Sequence, residues 1–185
     1  MSELLCNAAH SQLLIVDIQE KLAGVMPEKV LANVLRTNQI LLQAANALAI
    51  PVIHTEQYPK GLGHTHPEIK MYLGNRQPLE KTCFSSCGAT GFADASDGQS
   101  RQQYILTGME AHICVMQTAL ELISQGRQVF VVQDGICSRD KTNFKNALHR
   151  LRQAGVIITN RESVLFEWLR DASHEQFRAL SKLIR

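Results

Sequence analysis

Tyr104-Ile105-Leu106-Thr107-Gly108-Met109-Glu110-Ala111-His112-Ile113-Cys114-Val115 runs an apolar strand into a glycine turn and puts a cysteine where the next helix begins. The spacing of Val115, Ala119, Leu122 and Ile123 predicts that helix over Cys114 to Gln125, with Gly126 stopping it. A thiol at a helix N-terminus meets unpaired backbone N–H groups and the positive end of the helix dipole, and both favour thiolate. Cys114 is therefore the first candidate for a reactive group, and it is expected to alkylate faster than the other cysteines. Cysteine is also among the most buried residue types, so this segment alone leaves a space-filling role open.

Outward from this unit the pattern alternates. Leu13 to Ile18 is a short apolar run that carries Asp17, and Val34, Leu35, Leu41, Leu42, Ala45 and Leu48 fall at helical spacing within Val30 to Leu48. Pro51 to Thr55 opens a second strand, Glu80 to Ser85 a weaker third, and Tyr104 to Thr107 a fourth. Val129 to Val132 is the fifth, Asn143 to Gln153 a helix closed by Gly155, and Val156 to Thr159 the sixth, before one or two terminal helices through Trp168 and Phe177. Continuous apolar strands between amphipathic helices indicate a parallel sheet covered on both faces. The lone Trp168 is expected to pack the terminal helix onto that sheet. Gln57 to Pro78, with its scattered Pro and Gly, is the irregular part, and a long connection inside a compact domain is usually functional or mobile.

With 185 residues, the chain suits a single α/β domain, 1–185, and 45% hydrophobic residues suffice for a full core without staples. A formal net charge of +2, with no basic run, argues against a nucleic-acid partner. Met1 to His10 has no leader pattern and no segment approaches the roughly 18 to 20 apolar residues of a membrane span, so a soluble cytoplasmic protein without membrane association is expected. Five cysteines (Cys6, Cys83, Cys87, Cys114, Cys137) form no dense disulfide framework and read as free thiols.

In an open parallel sheet, ligands bind at the carboxyl ends of the strands near the switch in strand order. Asp17, Thr55, Lys81 and Cys114 all fall there. Asp17, late in a strand of Leu13, Leu14, Ile15 and Val16, is costly to bury unpaired. A carboxylate beside a thiol can take its proton, and a nearby lysine favours both anions. A cation at about 4 Å supplies roughly 4 kcal/mol at an effective dielectric of about 20, enough to lower a thiol pKa by about three units. Taken singly, Asp17 also reads as a cap or strand-end ion pair, and Lys81 as a solvated charge.

Together, Val16-Asp17-Ile18-Gln19, Glu80-Lys81-Thr82-Cys83-Phe84-Ser85 and Gly108 to Ala119 resemble the isochorismatase-like cysteine hydrolase superfamily, from about Leu13 to Asn160. The resemblance implies a Rossmann-like three-layer α/β/α sandwich with a six-stranded parallel sheet. It also implies an Asp-Lys-Cys catalytic triad, with Asp17 as general acid/base, Lys81 as the charge between base and nucleophile, and Cys114 as nucleophile. A cis peptide would join Met109 to Glu110, and the N–H groups of Glu110 and Cys114 would form an oxyanion hole. Within the same segments, Gln19, Gln57, Tyr58, Phe84, Glu110 and His112 are the candidates for substrate contact. His112 is equally suited to orienting the turn.

Departures from the pattern narrow the chemistry. Nicotinamidases of the superfamily carry an Asp-x-His…His metal motif after the second strand, but here that place reads His54-Thr55-Glu56-Gln57-Tyr58-Pro59-Lys60-Gly61-Leu62-Gly63. His64-Thr65-His66 lacks a carboxylate to complete a ligand spacing, so neither metal nor cofactor is expected. Isochorismatases proper lack the cysteine, and Cys114 argues against vinyl-ether hydrolysis. Cys83 and Cys87 read as ordinary thiols, and Gly61-Leu62-Gly63 lacks the setting of a dinucleotide loop. The resulting expectation is an amidohydrolase-type enzyme that cleaves a C–N bond of a small molecule through a thioester. The rivals are a redox or detoxification protein that oxidises Cys114 to sulfenic acid and a non-enzymatic interaction protein on the same fold. Homo-oligomers are common in the superfamily, and Leu165, Phe166, Trp168 and Leu169 are the expected apolar patch.

Overall fold

The computed structural model describes residues 4–96 and 101–184. The start of the Met1–His10 stretch read above lies outside the described residues. In chain order the elements are β1 (Ser11–Val16), α1 (Glu20–Ala23), α2 (Glu28–Ala47), β2 (Val52–Gln57), α3 (Pro59–Leu62), α4 (Pro67–Leu73) and β3 (Leu79–Lys81). There follow α5 (Phe92–Ala95), β4 (Gln103–Met109), α6 (Met116–Ser124), β5 (Gln128–Cys137), α7 (Lys141–Gln153), β6 (Ile157–Thr159), α8 (Arg161–Leu169) and α9 (Phe177–Leu180).

The strands form one six-stranded sheet in the order β3-β2-β1-β4-β5-β6. Every pairing in it is parallel. The chain runs outward from β1 through β2 to β3, then crosses back to β4 and continues to β6. The order therefore reverses between β1 and β4, and Val16 lies level with Gly108 there.

Side chains alternate between the two sheet faces with the strand period of two. Leu13 and Ile15 of β1, Ile105 of β4, and Phe130 and Val132 of β5 join the core beneath α2 and α8. Leu14, Val16, Leu106, Val129 and Val131 join the other core, with Ala119 and Leu122 of α6 and Leu148 and Leu151 of α7. This is the expected three-layer sandwich. Trp168 is 2% exposed and its indole N–H donates to Ser11 Oγ at 3.0 Å, docking α8 on β1 as expected.

The differences from the sequence reading are local. The first strand begins at polar Ser11 because Gln12 is held by its Nε2 bond to the Arg101 carbonyl, 3.0 Å. It ends at Val16 because Asp17 takes φ +51° and turns the chain off the sheet. The third strand stops at Lys81 rather than Ser85. The fifth runs from Gln128 to Cys137, past Val132 and through Gln133-Asp134-Gly135. The expected oligomer patch is corrected: Leu165, Trp168 and Leu169 are 0%, 2% and 2% exposed within the chain. Phe166 alone of the four is open, beside Phe177 at 6.1 Å. Among the described residues no helix is long and apolar enough to cross a membrane.

Gly108 is required at the crossing of β1 and β4. Its φ is +124°, and a Cβ there would come within 2.0 Å of the Val16 carbonyl oxygen. Backbone on the central strand cannot yield as a flexible side chain can. Gly108→Ala should therefore lower stability by more than about 3 kcal/mol, measured by urea unfolding, whereas Gly74→Ala, with open space around its Cβ, should cost less.

Candidate active site

Asp17, Thr55 and Lys81 come from the carboxyl ends of β1, β2 and β3, and the parallel register gathers them. Val16 is level with Thr55, and Gln57 with Lys81. Lys81 Nζ donates to Asp17 Oδ2 at 2.6 Å, with both side chains fully inaccessible. Thr55 Oγ1 donates to the other carboxylate oxygen, also at 2.6 Å. Two buried ions each lose several kcal/mol of hydration, so such a pair persists only where further hydrogen bonds complete both shells. Here the ammonium also donates to Gln57 Oε1 at 2.7 Å and the Phe84 carbonyl at 2.9 Å, with the Cys83 carbonyl at 3.3 Å.

Cys114 approaches from the opposite side of the strand reversal. The chain after β4 makes a single wide π turn over Ala111–Val115, and regular α-helix starts only at Met116. Cys114 therefore lies inside the first turn rather than at a helix N-terminus. Its carbonyl accepts from Thr118 Oγ1 at 2.7 Å, and that hydroxyl accepts from the Ser86 N–H at 2.8 Å. The residue is 5% exposed, and Asp17, Lys81 and the Glu110 backbone N–H all lie near enough to its thiol to act on its acidity. The Met109–Glu110 peptide is cis.

The expectation of a thiolate is corrected. Burial, first, and then the Asp17 charge push the Cys114 thiol up to about 12, against the opposing pull of Lys81. The lysine is spent on Asp17, so the pair is nearly neutral as seen from the sulfur and desolvation decides the balance. At neutral pH the proton sits on sulfur, facing the carboxylate. The cysteine open to solvent is Cys83.

The substrate-contact candidates divide. Gln19 is fully buried and its amide is spent, donating to the Gln57 and Gly63 carbonyls at 3.0 and 2.6 Å and accepting from the Gln57 N–H at 2.7 Å. Gln57 donates to the Thr82 carbonyl at 2.7 Å while holding Lys81. Both amides brace the site rather than face a ligand. Tyr58 and Phe84, 54% and 53% exposed, remain open, and each is joined to Lys81 through its backbone. Glu110 is buried, with Arg139 Nη1 at 3.0 Å and His112 Nδ1 at 3.3 Å, and His112 also meets Ser138 Oγ at 2.9 Å. His112 is thereby tied to the residue that follows β5, while among the described residues Glu110 Oε2 is a buried oxygen without a hydrogen bond.

The histidines considered for a metal are dispersed. His54 is buried on β2, where desolvation lowers it to about 4. His64 lies 3.1 Å from Glu56, and His66 caps α4. Among the described residues no three His, Cys, Asp or Glu side chains converge. Sequence reasoning missed Thr118, Ser138 and Arg139. Thr118 is legible as the position four after Cys114, but nothing in the sequence ties Arg139 to Glu110.

The sheet order defines a doubly covered parallel α/β protein, and comparison with known proteins places it in a hydrolase family. Residues 11–163 match the Isochorismatase domain. Over 174 residues the chain is 40% identical to isochorismatase domain-containing protein 2 of Danio rerio, spanning 94% of this chain and 86% of that one. The structure of MAR1 ribonuclease from Caenorhabditis elegans superposes with a TM-score of 0.89 at 38% identity, covering 97% of this chain and 92% of that one. The putative MAR1 ribonuclease of Leishmania donovani gives 0.90 at 30% identity over 100% and 96%. The chain belongs to the isochorismatase family.

The direction of the thiol shift gives a test. Asp17 raises the Cys114 pKa through both its charge and its hydrogen bond, whereas Lys81 lowers it. Asp17→Asn should therefore speed iodoacetamide labelling of Cys114 at pH 8, Lys81→Met should slow it, and in the parent protein Cys83 should label first. Mass mapping with limiting reagent reads all three.

Proposed function

We propose that this protein is a cysteine-dependent amidohydrolase of a small molecule, working through a thioester. The observation that carries the reading is a buried thiol placed within reach of the charge of a buried carboxylate, which a buried lysine pairs at 2.6 Å. Asp17 takes the Cys114 proton as sulfur attacks the substrate carbonyl. The carbonyl electron pair moves to oxygen, where the N–H groups of Glu110 and Cys114 accommodate the negative charge. As the tetrahedral species collapses, the C–N bond breaks and Asp17 delivers the proton to the departing nitrogen. Asp17 then deprotonates a water that attacks the thioester, the C–S bond breaks, and the proton returns to sulfur as the acid leaves. Lys81 stays protonated throughout and holds Asp17 in place.

Preorganised donors near a developing charge supply the largest share of such catalysis, and the lowering effect of the Glu110 backbone N–H on the thiol supports that role. Tyr58 and Phe84 are proposed to flank the substrate. Neither a metal nor a cofactor has a part in these steps, and nucleic acid is not among the proposed partners. A sulfenic-acid role is less well supported, because a protonated, nearly inaccessible thiol is a poor peroxide target. Assembly into a homo-oligomer is also proposed; a monomeric mass by light scattering at micromolar concentration would count against it.

Screening small amides and ureides for ammonia or amine release tests the function. The active substrate should lose about a thousandfold or more in turnover with Cys114→Ala and yield a trapped acyl-enzyme by rapid quench and mass spectrometry. Turnover should survive extended chelation. Cleavage of RNA, the activity in the name of the C. elegans relative, with no amide turnover, would overturn the reading.

A further inference from the structure

A groove of about 800 Å³ opens at the carboxyl end of β5, between the start of α2 and the start of α7. Its lining includes none of Asp17, Lys81 and Cys114, and its volume falls in the range of about 300 to 1,000 Å³ usual for small-molecule sites. Val30, Val34, Ile136, Phe144 and Ile158 give it an apolar lining, and Lys29, Arg139, Lys141 and Arg152 also line it.

The charge balance of this lining is lopsided. Asp134 is the one carboxylate among the lining residues, and it already accepts from the Arg161 N–H at 2.9 Å with the Arg161 guanidinium at 3.5 Å. Arg139 is held by Glu110. Arg152 bonds only the neutral amide of Gln133, at 3.3 Å, and among the described residues neither Lys29 nor Lys141 makes an ion pair. The nearby Asp140 carboxylate caps α7, accepting from the Asn143 N–H at 2.8 Å. Three cations without a carboxylate partner therefore surround an apolar concavity, in a chain whose whole formal charge is +2.

We propose that this groove binds a small organic anion with an apolar body, an aryl or alkyl carboxylate whose charge is taken by Arg152 and Lys29 while its hydrocarbon lies against Val34, Phe144 and Ile158. The guanidinium suits the role because it can grip a carboxylate through two parallel N–H bonds. A concave apolar lining favours such a ligand over an extended polyanion, which would contact the rim and leave the hydrocarbon surface uncovered. The groove also borders the nucleophile turn, since Cys137 pairs with Met109 and Arg139 holds Glu110.

Calorimetry on the full chain tests this, with Cys114→Ala so that no turnover intervenes and the result is independent of the amidohydrolase reading. The probe is 4-phenylbutyrate, with 4-phenylbutanol as its neutral counterpart and a single-stranded RNA oligonucleotide as a polyanion. The expected result is one phenylbutyrate per chain, about tenfold weaker binding for each of Arg152→Gln and Lys29→Gln, weaker binding of the alcohol, and no competition by RNA. Ile158→Trp, which fills the groove without changing charge, should abolish binding in a protein that unfolds at the parent's temperature. Equal affinity for the alcohol, no effect of the charge variants, RNA bound in place of the carboxylate, or no carboxylate binding at all would each overturn the proposal.

Discussion

The contact between Asp17 and Lys81 is the constraint around which the site is arranged. Neither ion touches solvent, and each would be intolerable alone. Their shells are completed by Thr55, Gln57 and the carbonyls that follow Lys81, so three neighbouring strands must end in register for the pair to exist. The sheet order β3-β2-β1 supplies that register. Strand β4, entering on the far side of β1, brings the thiol to a carboxylate already fixed in position. The strand reversal and the ion pair are thus parts of one arrangement, one made by the backbone and the other by side chains.

A lysine engaged in this way does not generate a resting thiolate. Its charge is neutralised at 2.6 Å by Asp17, and what remains at the sulfur is the low polarity of the interior. The proton stays on the sulfur, beside a carboxylate that the lysine pairs. A thiol held in this state is shielded from adventitious electrophiles.

Much of the fold was legible because the strands are continuous apolar runs between periodic helices, and that pattern has few solutions. The errors arose where polar residues continue a strand. Ser11 and Gln12 are buried and lengthen β1 because Gln103 and Arg101 satisfy them, and no local pattern announces a partner more than eighty residues away; Gln133 and Asp134 carry β5 on at its more open stretch, bonded to Arg152 and Arg161. Asp17, Lys81 and Cys114 were legible through chemistry that each needs from the others. Gln19 and Gln57 were legible as part of the site but their bonds to backbone were not, since an amide aimed at a backbone looks the same in sequence as one aimed elsewhere. The thiol's protonation was misjudged for a related reason: a lysine's effect depends on what already neutralises it, which is a property of the assembled site.

The segment from Gln57 to Thr65 is tied down from beneath. Gln19 grips its two ends through main-chain atoms, and the buried carboxylate of Glu56 holds the Thr65 N–H and hydroxyl at 2.6 and 2.7 Å. Burial opposes the charge on Glu56, but these bonds and His64 hold its carboxyl below the usual range. Because the anchors seize backbone, the outward side chains of the segment, Tyr58 among them, carry little of its fold. Sequence drift along that rim can reshape what the molecule admits without disturbing the buried ion pair below. A lineage built on this frame is free to change diet while keeping its chemistry.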